Sequence, residues 1–513
     1  MFWGGVPGGL PRLRRVRLDA LTAELYGART VGDPAVEVGS LAYDSRKVGP
    51  GTLFFCVPGE KADGHEFAAV AVEAGAVGLV VERELALDVA QVVVADARAA
   101  MAPLAARFWG DPTSELRVVG VTGTNGKTTT AFLVREVLEA AGIQCGLMGT
   151  VRQVVGGDEE EVERTTPEAI DLQATFRRML DAGDRACAIE VSSHALALHR
   201  CDSIHFEAAL FTNLTQDHLD FHGTMEEYFR SKRLLFEMEP KVSIVNLDDP
   251  YGRRLVDEFE CTTFSAEGAE ADFTAGDVNF DVTSARFTVT SGPTGRNPSH
   301  GRGFRPVDGE VRVRTGLPGG FNVANALGAF AAAVEMGVSP EVAAEGLGRA
   351  ERVPGRFEPV EEGQDFAVLV DYAHTPDSLD NVLRAARRLT EGRVIAVFGA
   401  GGDRDRDKRP KMGRAGTAGS DLAIVTSDNP RSEEPGTIID EVVDGIENGA
   451  LFEVEQDRRA AIARALREAA AGDTVVIAGK GHEQGQEFKN GRKVPFDDRE
   501  VAREELRKLV GAG

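Results

Sequence analysis

At 513 residues the chain has the length of about three ordinary domains. Its 42% hydrophobic and 27% charged residues are those of a soluble globular protein, and a net charge of −24 argues against an extended nucleic-acid surface, which needs clustered Lys and Arg. No apolar run of about eighteen residues is present to span a membrane, and the five scattered cysteines have no metal-like spacing and suit reduced thiols in the cytoplasm.

Residues 1–15, rich in Gly and Pro, read as an N-terminal extension; Arg12, Arg14 and Arg15 have no apolar stretch behind them and do not make a secretory signal. Over 16–112, strand-like runs at 52–57, 77–81 and 91–94 alternate with alanine-rich helical stretches such as 66–75, which predicts a small α/β domain. Over 113–352, strands at 116–122, 186–191, 207–212 and 242–246 accompany helices after Lys127 and over 321–335. That pattern predicts a mainly parallel sheet covered on both faces. The acidic run 158–161 reads as a solvated loop. The Gly/Pro-rich excursion 291–303 reads as an extended surface loop without a catalytic role. A further α/β pattern fills 353–513, with strands at 366–370, 393–397, 422–426 and 474–477.

The strongest chemical signal is a short apolar strand followed by Gly123, Thr124, Asn125, Gly126, Lys127, Thr128 and Thr129 at the start of a helix. Gly123 and Gly126 let backbone N–H groups close around phosphate oxygens, Lys127 adds positive charge, and Thr128 offers a hydroxyl to Mg²⁺. Val121 stands where the strict Walker spacing has glycine. The loop points to ATP.

Other polar clusters fall at the carboxyl ends of predicted strands, where open α/β sheets bind ligands. Glu190 ends an apolar run and suits a Mg²⁺ ligand. Asp217, His218, Asp220 and His222 leave the next strand together; one histidine is a candidate metal ligand, and either is equally a structural group. Lys232 lies on an amphipathic helix and, read by itself, is a surface lysine. Asp371 suits a ribose, with helix capping as the competing role. Charges of both signs at 401–410, 428–431 and 479–483 suit a substrate with amine and carboxylate groups.

Together these residues resemble the Mur ligase family, the ATP-dependent amide-bond-forming enzymes of peptidoglycan precursor synthesis. The marks are 123–128, 190–194, 213–218, 320–325, 355–358 and 371–374. Within the family, 44–46, 51–54, 59–64 and 479–483 are similar to the MurE type. The resemblance implies an α/β fold of three domains. These are a small N-terminal UDP-binding domain, a central P-loop ATPase-like domain with a parallel sheet, and a C-terminal Rossmann-like domain. It also implies transfer of the ATP γ-phosphate to a D-glutamate γ-carboxylate on a UDP-N-acetylmuramoyl dipeptide, followed by attack of an amino-acid amine on the acyl phosphate.

Residue roles follow from the same resemblance. Asn325, Arg356 and Asp371 would join the loop in holding ATP, and Thr128, Glu190 and His218 would hold two Mg²⁺ ions. Lys232 would be carbamylated (N6-carboxylysine) and catalytic beside Lys127, His218 and Glu190. Tyr43, Ser45, Glu60, Lys61, Ala62, Thr165, Thr166, Ser192 and Arg200 would hold the UDP-sugar dipeptide. Asp428, Asn429, Pro430 and Arg431, with Arg404, Gly479 and Glu483, would hold meso-2,6-diaminopimelate, because Arg431 can grip a second carboxylate that lysine lacks. Leu198 replaces a glutamine found in many relatives, and the 291–303 excursion has no family counterpart. The expected partners are these small molecules alone, with the protein a cytoplasmic monomer. A lysine-adding ligase of the same family is the alternative. A P-loop nucleotide switch is the alternative of another class, and it would need a guanine-reading motif that the sequence lacks.

Overall fold

The structure is a computed structural model that describes residues 15–59, 62–160, 162, 164–292 and 309–511. Most of the proposed extension, and the excursion from 293 onward, lie outside the described residues. The chain gathers into two compact units, with the second built from Val121–Gly142, Ala208–Phe236 and Lys241–Gly513. The division falls within the strand Arg117–Thr122.

In the first unit a five-stranded sheet runs in the order Arg29–Val31, Ala90–Val93, Ala76–Val81, Thr52–Phe55, Ser40–Ala42. Only its first pair is antiparallel. Period-two alternation divides one strand between two cores: Leu53 and Phe55 pack with the helix Met101–Trp109, Phe54 and Cys56 with the helix Ala68–Glu73. The same unit pairs Cys145–Met148 in parallel with Ala186–Glu190 and ends in an antiparallel hairpin, Gln153–Val155 with Asp158–Glu160. Asp158–Glu160 of the acidic run therefore form a strand, contrary to the loop expected, while Glu161 lies outside the described residues. Arg152, just before the partner strand, pairs with Glu159, and Arg178 on the helix Ala169–Ala182 pairs with Glu160, so neighbouring positive charge offsets the poor strand propensity.

In the second unit Phe206–Phe211, Val242–Asn246, Thr262–Ser265 and Phe273–Phe280 pair in parallel. Ala285–Ser291 and Glu310–Thr315 then add antiparallel strands, an edge that the parallel expectation did not include. The helix Gly320–Glu335 lies close on the sheet because Gly328 omits a side chain; a Cβ there would stand 3.0 Å from the Phe264 ring.

The last sheet runs in the order Glu358–Pro359, Ala367–Asp371, Thr474–Ala478, Val394–Phe398, Leu422–Val425, Phe452–Val454. All but its first pair are parallel. Val394, Ala396, Phe398 and Val476 face one core, Ile395, Val397, Val475 and Ile477 the other. Strands buried on both faces read as continuous apolar runs, which is why they were legible. Their carboxyl ends lead to Asp371, Gly479, Gly401 and Asp428.

One charged pair lies inside this last α/β region. Arg458 and Asp498 have fully buried side chains, joined at 2.6 and 2.7 Å, and Arg458 also donates to the Ala478 carbonyl at 2.9 Å. Asp498→Ala strands a buried guanidinium and should lower stability by about 3–5 kcal/mol in urea titration.

Candidate active site

Two glycines shape the loop after Arg117–Thr122. Gly123 (φ 148°) has no room for a Cβ, which would lie 1.9 Å from Thr212 Oγ1, and at Gly126 (φ 87°) a Cβ would lie 2.4 Å from Asn325 Oδ1. The loop is tied down by Asn125 N–H donating to Asn213 Oδ1 at 2.9 Å and Asn125 Nδ2 donating to Asp377 at 3.0 Å. The helix Lys127–Ala140 starts at Gly126 with no side-chain cap, so its positive end is open to an anion. Thr129 is buried in its first turn. Arg356 Nη2 donates to Thr128 Oγ1 at 3.0 Å, and its guanidinium lies 4.5 Å from the Tyr372 ring centre. Asn325, Arg356 and the loop are thus brought together. Asp371 accepts from Phe357 N–H at 2.6 Å and Ala373 N–H at 2.7 Å, and burial raises its pKa. It fastens the 355–357 turn to a strand end, while Thr375 caps the next helix.

Lys127 Nζ donates to the carbonyls of Gly123 and Thr124 at 3.0 and 2.8 Å, and Lys232 Nζ donates to Gly123 at 2.7 Å. Lys232 is buried, not a surface lysine. On the helix Met225–Glu237 the buried positions are Tyr228, Phe229, Lys232, Leu235 and Phe236, the i, i+4, i+8 stripe of one face. That spacing was a readable signal. Burial first, and then the charge of Lys127, hold the Lys232 amine well below its usual pKa.

Asp217 is buried beside Lys408 and His218, both at 3.4 Å, and His374 at 3.7 Å. Burial alone would raise its pKa, but Lys408 and the two histidines hold it well below the carboxylate range. His374 and Lys408 lie within the stretches 371–374 and 401–410 but had no expected role of their own, since their meeting with Asp217 joins segments far apart in sequence. His222 instead packs against Tyr228, with ring centres 4.9 Å apart.

The first unit carries the remaining expected contacts. Glu190 is buried and accepts from Thr150 N–H at 2.6 Å and Thr150 Oγ1 at 3.2 Å. Thr150 also meets Thr165 at 3.0 Å, and Thr166 Oγ1 donates to the Glu190 carbonyl at 2.8 Å and to Ser192 at 3.2 Å. Arg200 donates to the Thr166 carbonyl at 3.1 Å and pairs with Glu168 at 2.9 Å; Leu198 caps the short helix between. Tyr43 donates to Asp171 at 2.9 Å, and Ser45 opens a short turn capped by Asp44. Ala62 accepts from Gly59 N–H at 3.0 Å, while Glu60 and Lys61 lie outside the described residues. Thr150 and Glu168 were missed; the Thr165–Thr166 motif was their only sequence cue.

At the last sheet's carboxyl end, Asn429 Nδ2 donates to Glu483 at 2.8 Å, and Lys480 Nζ reaches Asn429 Oδ1 at 2.9 Å and Glu483 at 2.7 Å. Asp428 lies beside Gly479, where a Cβ would stand 2.7 Å from its carboxylate. Burial opposes its charge, but Lys480 and Arg458 lower its pKa. Lys480, which lies within the 479–483 stretch but carries no expected role, is fully buried.

Family profiles match three stretches: "Mur ligase family, catalytic domain" at 37–109, "Mur ligase middle domain" at 121–333, and "Mur ligase, glutamate ligase domain" at 355–481. A Solibacter usitatus protein named UDP-N-acetylmuramoyl-L-alanyl-D-glutamate–2,6-diaminopimelate ligase is 46% identical over 92% of this chain and 94% of its own. The chain belongs to the Mur ligase family. A Streptomyces coelicolor Mur ligase of the same name is 44% identical, covering 98% of this chain and 99% of its own. A solved structure under that name is 31% identical with a TM-score of 0.67, over 97% of this chain and 99% of that one. This Mur ligase therefore has the three-domain α/β architecture expected.

For Mg²⁺, donor chemistry fits in part. The Thr128 hydroxyl and Glu190 carboxylate are hard oxygen donors, whereas the His218 imidazole is a rarer ligand for so hard an ion. In this Mur ligase the ionised Asp217 contributes stability that is fully present above its unfolded pKa of about 3.9 and is lost as pH falls through its depressed native value. Asp217→Asn should therefore flatten the loss of stability below about pH 4, read from urea midpoints across the acid range.

Proposed function

We propose that this Mur ligase joins an amine of meso-2,6-diaminopimelate to the D-glutamate γ-carboxylate of UDP-N-acetylmuramoyl-L-alanyl-D-glutamate, consuming ATP and releasing ADP and phosphate. The observation that carries this reading is the meeting of Arg431, Gly401 and Arg404 at one sheet end, in a chain whose relatives at 44% and 46% identity bear that ligase name. The assigned boundaries are 16–112 for the UDP-sugar domain, 113–352 for the ATP domain and 353–513 for the amino-acid domain. Four cysteines are buried thiols, which suits work in the cytoplasm.

The γ-phosphoryl group passes to the carboxylate, giving an acyl phosphate. The neutral diaminopimelate amine attacks that carbonyl, and the tetrahedral species collapses to amide and phosphate. Lys127 and the open helix end take up charge on the transferring phosphoryl oxygens. Asn325, Arg356 and Asp371 line the adenosine, and Tyr43, Ser45, Thr165, Thr166, Ser192 and Arg200 the UDP-sugar dipeptide, with Glu60 to Ala62 alongside. Thr128, Glu190 and His218 are the residues that would hold Mg²⁺, which would add neutralisation of phosphate charge. Lys232, kept neutral by burial, has the free lone pair that carbamylation needs. Its nitrogen bonds to the carbon of CO₂ and one proton leaves, turning a neutral amine beside Lys127 into an anion.

Phosphate release is the decisive assay. It should require both the UDP-sugar dipeptide and diaminopimelate, and lysine should substitute poorly; turnover indifferent to both substrates sinks the ligase reading. Arg431→Ala should weaken diaminopimelate by about 2–5 kcal/mol, read as its KM, while ATP use is unaffected. Lys232→Ala should lose most activity and regain part of it with a short carboxylate in the buffer; wild-type rates in that variant refute the carbamate.

A further inference from the structure

Arg409 is entirely buried, yet nothing in the proposed chemistry uses it. Its guanidinium grips Glu433 through two nitrogens at 2.9 and 2.7 Å, reaches Glu441 at 2.7 Å and donates to the Gly401 carbonyl at 3.2 Å. Glu433 carries the tether onward, since its Oε1 also accepts the Asp403 N–H at 2.6 Å. The Asp403 carboxylate in turn accepts from Ser432 N–H at 3.1 Å and Ser432 Oγ at 2.6 Å.

These bonds tie the turn bearing Arg404 to the turn bearing Arg431. Asp403 and Arg431 both sit at φ 51°, a left-handed conformation that a non-glycine residue keeps only where its surroundings impose it. Gly402 N–H donates to the Asn429 carbonyl at 2.9 Å, and a Cβ on Gly402 would stand 2.0 Å from the Pro430 carbonyl. Arg431 donates through Nη1 to the Gly402 carbonyl at 2.6 Å and through Nε to Glu487 at 3.3 Å. Its Nη2 makes no hydrogen bond among the described residues. A Cβ on Gly401 would lie 3.0 Å from Arg431 Nη1 and 4.0 Å from Arg404 Cγ, so both arginines flank that glycine.

On the reading that this end of the sheet receives diaminopimelate, we propose that Arg409 and Glu433 are positioning residues that hold Arg404 and Arg431 as one carboxylate-reading pair. They thereby set the preference for an amino acid with a second carboxylate over lysine. A guanidinium reads a carboxylate bidentately only at a fixed angle, and the tether supplies that angle from behind.

The test uses the full-length enzyme carrying Ser432→Ala or Glu433→Ala, with initial rates against diaminopimelate, lysine and ATP. Ser432 is exposed, so its variant is expected to fold, and a thermal melt checks both. The diaminopimelate KM should rise about tenfold, with kcat held within about twofold and the ATP KM unchanged. The kcat/KM preference over lysine should fall by about the same factor, because lysine makes no use of the pair. Glu433→Gln keeps an oxygen for the Asp403 N–H and should recover part of the loss. Arg409→Lys should not spare the preference, because an ammonium cannot reproduce the two-nitrogen grip on Glu433 along with the bonds to Glu441 and Gly401. An unchanged diaminopimelate KM, a loss confined to kcat, or equal losses for both amino acids overturns the proposal while a selective wild type leaves the function standing. A wild-type enzyme that makes no amide with diaminopimelate overturns both.

Discussion

Two lysine amines converge on one backbone carbonyl, that of Gly123, and much of the site follows from this crowding. Two ammonium groups share a buried acceptor only at a cost, which lowers the pKa of the more deeply buried one. Lys127 stays at the edge of the loop, whereas Lys232 is buried on a helix face, and burial and the charge of Lys127 lower its pKa. The carbonyl is reachable from both sides because Gly123 has no side chain and Thr212 fills the space a Cβ would take. A rigid, positively charged loop at a helix start results, with a buried amine of lowered basicity behind it.

The second organising device is the set of carboxyl strand ends in the last sheet. Parallel pairing sends the chain out of the sheet at the same edge each time, so Asp371, Gly401, Asp428 and Gly479 arrive together although more than a hundred residues separate the first from the last. Burial then sharpens their chemistry. Asp428 keeps its charge against desolvation because Lys480 and Arg458 stand beside it, and Arg458 is itself held by Asp498. Charge in this region is paid for by paired charge, which keeps polar groups fixed in direction.

Local pattern carried much of this. The last sheet's strands were readable because burial on both faces demands uninterrupted Val, Ile, Leu and Ala. The phosphate loop was readable because its glycines answer a geometric need within a few residues. The hairpin at Asp158–Glu160 was not, since its acidic residues are poor strand formers and partners outside the segment, Arg152, Gln153 and Arg178, make the strand tolerable. Lys232 was half-readable. Its spacing marked a buried face, but a lysine on such a face is so costly that its residue type argued the other way.

By itself the sequence determined the strands buried on both faces, where the chain turns around phosphate, and which charged residues end up at their termini, because those are decided by neighbours within one or two turns of chain. Tertiary structure alone decided the partners: Lys408 and His374 on Asp217, Lys480 on Glu483 and Asn429, Arg409 behind Arg404 and Arg431. Protonation and side-chain direction depend on burial and on charges a few ångströms away. Apart from Lys480, whose Glu483 is three residues along, the sheet brings most of these groups together from far along the chain.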